Sequence, residues 1–150
     1  MNVTMEDVRR ALDPDEVDYA AASQLGPDAL PFLMDLVQGG DPGMAAKAAY
    51  LAAVLEGELS EQVVAVAAAS SDVRVRVAAA HAASMLAAEP ASRVLDTLLL
   101  DDDPGVQKLA LRSVSAGLSP DLLEKIREVS VNGSSQGLRD FAERAMERLQ

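Results

Sequence analysis

Hydrophobic and small residues recur along most of the chain at spacings of three and four, and short polar breaks carrying Asp-Pro, Ser-Pro or glycine separate them. That rhythm predicts helices and no strand. Thr4, followed three residues on by Asp7, has the form of a capping box with Asp in place of Glu, and opens a short helix over Met5 to Leu12. Asp13-Pro14 sets a cap before a proline at a first helical position and predicts a second helix ending at Gly26. Pro27 opens a third, in which Ala29, Phe32, Leu33, Leu36 and Val37 repeat up to Gly39-Gly40; Pro31 lies in its first turns, where a missing N–H costs little. Asp41-Pro42 opens a fourth, running to about Glu56, and Ser60 is expected to cap a fifth. Pro90, Asp103-Pro104, Ser119-Pro120 and the Asn132-Gly133-Ser134 turn mark the remaining boundaries. The expectation is an all-α chain of ten helices in five antiparallel pairs, with loops of about two to five residues.

The same words return at a fixed interval. Asp72-Val-Arg-Val-Arg-Val-Ala-Ala-Ala-His has relatives 31 positions away on either side, beginning at Asp41 and Asp103, and a fourth copy begins at Ser135 after 32. Periods of this length mean stacked supersecondary units. One column of the repeat reads Met44, Val75, Val106, Leu138; a second reads Ala48, Ala79, Ala110, Ala142; a third reads Ala52, Ala83, Val114, Met146. Spaced four apart, they share one helix face and are expected to form core. On the first helix of each unit, Val63, Val64, Ala67 and Ala68 take the slots of Phe32, Leu33, Leu36 and Val37, and Val94, Leu95, Leu98 and Leu99 follow. The units run from about 4 to 26, 27 to 57, 58 to 89, 90 to 118 and 119 to 150, in a single domain.

Composition narrows the function classes. Of 150 residues 49% are hydrophobic but only 3% aromatic, which suits helices packed closely through alanine. There is no Cys, so disulfides and thiolate metal sites are excluded, in keeping with a reducing compartment. Formal charge is −11, and residues 1 to 41 hold nine acidic against two basic side chains. General attraction to nucleic acid or an anionic membrane is disfavoured. No apolar run approaches the ~20 residues that span a bilayer, and the N-terminus lacks a basic and an apolar region of a leader. A cytoplasmic protein is expected.

The segment Leu98-Leu-Leu-Asp-Asp-Asp-Pro-Gly-Val-Gln-Lys-Leu-Ala resembles the HEAT repeat, in particular the short bacterial form known as the phycobilisome-lyase HEAT-like repeat. The resemblance covers residues 27 to 150 and implies an α-α superhelix, a HEAT-like solenoid whose second helices line a concave surface that holds partners. The Arg that usually follows Val is present at Arg76 and Arg139 and replaced by Ala45 and Gln107, which leaves any Asp-to-Arg ladder between turns incomplete. Glu143 replaces a small residue, as suits a last repeat, so a complete small solenoid is expected. On the implied concave surface one position per repeat is neither core nor turn; it reads Tyr50, His81, Arg112 and, one insertion later, Arg144, with Lys47, Arg74 and Lys108 flanking it. Adjacent helices ~8–10 Å apart would align these side chains in one row.

Other motifs point to structure rather than chemistry. His81 is the only histidine and, with no Cys, makes no metal site. Gly133-Ser134-Ser135-Gln136-Gly137 has the spacing of a hydrolase elbow but joins two helices, and His81 precedes it. Asp101-Asp102-Asp103 lacks the glycine and glutamate of a calcium loop; Asp103 is expected to cap the helix at Pro104, with its neighbours solvated. No catalytic residue, metal or cofactor is expected. The leading expectation is a non-enzymatic scaffold or adaptor binding another protein on its concave surface, with Tyr50 as anchor and Arg112 as carboxylate clamp. A lyase-associated or chaperone-like role on tetrapyrrole-bearing proteins is the first alternative. A HEAT-like nucleic-acid-binding protein or DNA glycosylase is a more distant one.

Overall fold

The computed structural model describes residues 2–39, 41–114 and 119–149. They form ten α-helices and no strand: α1 (Met5–Leu12), α2 (Tyr19–Ala22), α3 (Leu30–Gln38), α4 (Pro42–Val54), α5 (Ser60–Ala68), α6 (Val73–Ala83), α7 (Ala88–Leu99), α8 (Pro104–Arg112), α9 (Pro120–Asn132) and α10 (Gln136–Arg148). The repeat word is a capping device. Asp41, Asp72, Asp103 and Ser135 each sit in extended conformation one residue before a helix, and each side-chain oxygen accepts an orphan N–H of the first turn. These bonds are 2.7–3.1 Å long, from Gly43, Arg74, Gly105 and Leu138 among others. The capping box at Thr4 and Asp7 forms in both directions.

The helices lie in two layers. In one, α3, α5, α7 and α9 meet in chain order; in the other, α4, α6, α8 and α10 do, and each helix also packs on its own partner across a short turn. This neighbour-to-neighbour order is the one expected of an α-α superhelix. Between the layers lies a continuous core, with Leu33, Val63, Leu95, Leu98, Leu122 and Ile126 supplied by the first layer. From the second come the predicted columns: Val75, Val106 and Leu138 are buried, and Ala48, Ala79, Ala110 and Ala142 have no exposed surface. The most extensive contact joins α4 to α6, and Ala48, Ala49 and Ala52 of the one and Ala79, Ala80 and Ala83 of the other are fully buried. Side chains this small let two backbones approach, and a larger one there has nowhere to go. Gly57, in the turn after α4, is equally confined: a Cβ on it would fall 2.5 Å from Leu30 Cδ1.

Several expectations are corrected. The second helix does not begin at Pro14; residues 13–18 are irregular, Asp18 caps a single turn from Tyr19, and a 3-10 turn over Ser23–Leu25 follows. The reason is tertiary. Lys47 Nζ donates to the carbonyls of Leu12, an orphan acceptor at the end of α1, and of Pro14, at 3.0 and 2.9 Å, and so ties this segment to α4. Gly26, at φ 74°, then turns the chain in the left-handed region that glycine tolerates. Pro27 begins a 3-10 turn ahead of α3. Ser60 is not the cap of α5: it is the first helical residue, buried, and its hydroxyl accepts the Gly57 N–H. Asp101 is not solvated: its side chain is 8% exposed and takes Arg76 Nε at 2.8 Å. The Arg position after Val is more nearly complete than the letters suggest, because Gln107 donates to the Leu99 carbonyl much as Arg76 and Arg139 donate to Ser70 and Gly133. No helix among the described residues is long and apolar enough to cross a membrane.

Candidate functional site

The second-layer helices present the row one side chain at a time: Tyr50 from α4, His81 from α6, Arg112 from α8 and Arg144 from α10. Its two ends are built differently. At the α4 end, Tyr50 is half-buried and lies against Tyr19, ring centroids 4.5 Å apart and planes tilted by 56°. Burial, and then the neighbouring Tyr50, push the Tyr19 phenol above its ordinary pKa. Lys47, one turn before Tyr50, spends its ammonium on the two N-terminal carbonyls. This end of the row therefore also seats residues 12–19 on α4, with Tyr50 left partly exposed.

His81 stands on the exposed face in the last turn of α6, and its ring has no hydrogen bond or ion pair among the described residues. Arg74 turns back on the cap of its own helix, its Nε and Nη2 meeting the Asp72 carboxylate at 3.1 and 2.8 Å. Hydrogen bonds from the Arg74 side chain and then its backbone N–H hold the Asp72 carboxyl at about 2.

The far end is a cluster. Lys108 Nζ and the guanidinium carbons of Arg112 and Arg144 stand over the ring of Phe141 at 5.5, 5.4 and 5.1 Å from its centroid. A ring face attracts cations through its quadrupole, by ~0.5–1 kcal/mol at exposed sites. A ring has two faces, so at least two of the three cations share one. Of the seven row and flank residues, the structure gathers these three around one ring, joins Tyr50 and Lys47 at the opposite end, leaves His81 between them, and keeps Arg74 with Asp72.

The row and its flanks, as read from the sequence, name the three cations but not Phe141, the ring that gathers them. The signal was there: Phe141 occupies the repeat position of Lys47, Ala78 and Leu109, three before the row position, where an i, i+3 neighbour meets it on the helix surface. The first layer is arranged otherwise. Its open cleft of about 1020 Å³ between α7 and α9 is lined by cations that already have carboxylates, Arg93 with Glu61 and Lys125 with Asp96, both at 2.6 Å. Ser135, the serine in hydrolase-like spacing, uses its hydroxyl to cap α10. Among the described residues no group of three or more His, Asp and Glu is placed to hold a metal ion. No protein-family model matches the chain, and no curated protein matches it significantly.

Proposed function

We propose that the protein is a non-enzymatic scaffold or adaptor of HEAT-repeat type, which holds a partner protein along the second-layer helices at Tyr50, His81, Arg112 and Arg144, flanked by Lys47, Arg74 and Lys108. One observation carries this reading: four consecutive helices of one layer each present a side chain from the same repeat position, and those side chains are an aromatic, an imidazole and two guanidiniums. Rows of this kind suit an extended partner, which meets one anchor per repeat. Tyr50 is the apolar anchor, pre-positioned by Tyr19; Arg112 is the carboxylate clamp. The setting proposed is the cytoplasm, to which a chain without cysteine is suited.

The test is affinity capture from the native host with the wild type and with Tyr50→Ala/His81→Ala/Arg112→Ala. Each true anchor is worth ~2 kcal/mol or more. Loss of two moves a micromolar complex toward millimolar, beyond retention through washing, while the helical circular dichroism stays unchanged. A partner that co-elutes equally with both proteins overturns the surface assignment.

A further inference from the structure

The chain has 24 acidic and 13 basic side chains, so an unpaired cation is the exception to explain. Six cations, Arg10, Arg74, Arg76, Arg93, Lys125 and Arg127, are in ion pairs. Three more, Lys47, Arg139 and Arg148, donate to backbone carbonyls. That leaves Arg9 and the three around Phe141. In a protein with nearly two acids per base, three cations that have no carboxylate partner among the described residues converge on one ring. Like charges gathered around one ring repel one another, and an incoming anion offsets that repulsion.

We propose that Lys108, Arg112 and Arg144, ordered around Phe141, form the docking site for an acidic peptide segment, a run of Asp and Glu in a partner protein. Both guanidiniums lie over the ring, 5.4 and 5.1 Å from its centroid, and among the described residues neither donates a side-chain hydrogen bond, so both can meet a carboxylate with paired N–H donors. Because the ring has already restricted the Arg rotamers, binding loses less side-chain entropy. The alternative polyanion, nucleic acid, fits poorly: a duplex extends past the cluster and meets the remaining net negative charge, whereas a short acidic segment meets the local field, screened from the rest beyond ~8 Å at physiological salt. The site rests on the scaffold reading for its partner class but adds the chemistry of the ligand.

The experiment is fluorescence anisotropy with a labelled octapeptide of alternating Asp and Glu, at about 0.15 M NaCl, where the Debye length is ~8 Å. Saturable binding is expected for the wild type. Arg112→Gln/Arg144→Gln should weaken it at least ~10-fold, the effect of losing one charge-assisted bond, with unchanged circular dichroism. Arg93→Gln/Arg127→Gln, which removes the same charge elsewhere, should bind as the wild type does. Absence of saturable binding, equal binding by the Arg112/Arg144 variant, or tighter binding of a DNA duplex of about 20 bp than of the peptide overturns the proposal. Peptide binding without partner capture would sink the scaffold reading and leave this site standing; capture without peptide binding would do the reverse.

Discussion

Arg74 and Arg76 stand two residues apart on α6 and do different work. Arg74 is 72% exposed and closes on the cap of its own helix; its effect is to hold Asp72 ionised. Because the folded pKa of Asp72 lies below its ordinary 3.8, the associated stability is present above pH ~4 and fades as pH falls toward 2. At such an exposed site the amount is small, since solvent and salt screen the pair. Arg76 is 19% exposed and its partner Asp101 8%. It joins the Asp101 carboxylate and the Ser70 carbonyl, thereby tying the turn before α6 to the turn before α8. Truncating it strands a nearly buried carboxylate whose remaining donor is the Asp103 N–H. Arg76→Ala should therefore lower unfolding free energy by about 2 kcal/mol, while Arg74→Ala leaves the urea midpoint at neutral pH within error. Equal midpoints for the two variants would show that the Arg76 bridge contributes nothing.

Helices were read from the sequence wherever a local signal and the tertiary environment agree. Asp41, Asp72, Asp103 and Ser135 cap because an oxygen two or three residues ahead of an orphan N–H is a local matter, visible in the letters. The apolar columns were equally plain, since a stacked repeat must bury the same positions in every copy. Residues 13–26 were misread for the opposite reason. Asp13-Pro14 is a sound helix opening in isolation, but Lys47, 33 residues from Pro14, takes the Pro14 carbonyl, and no short-range pattern records that. The Phe141 cluster is half visible in the letters: the repeat row picks out the cations, while nothing in it picks out the ring that gathers them. Lys47→Met, which keeps the aliphatic stem and deletes the donors, tests the first point. Losing these bonds, worth ~1.5 kcal/mol as local stability, should accelerate amide exchange about ten-fold over residues 13–25 and leave α5 to α8 unaffected. Acceleration spread evenly over the molecule would mean that the N-terminal segment is not held separately by Lys47.

Net charge acts on the molecule as a whole, and it opposes the fold. Two like charges ~20 Å apart in water repel by about 0.2 kcal/mol. Eleven uncompensated charges make about 55 such pairs, and an unfolded chain spreads them over twice the radius or more. The difference on folding is of order a few kcal/mol at low salt. Against it stand exposed ion pairs such as Arg10–Glu6 and Arg127–Glu124, each worth ~0.2–1 kcal/mol and only partly screened at contact distance. Repulsion is the larger and longer-ranged term, so shortening the Debye length from ~30 to ~8 Å, between about 0.01 and 0.15 M KCl, should stabilise the protein. At ~2–4 °C per kcal/mol for a chain of this size, a rise in Tm of several degrees is expected by calorimetry. A Tm that is flat or falls with added salt would mean that local pairs outweigh the net charge, and the cations around Phe141 would lose their status as the exception in a self-repelling molecule.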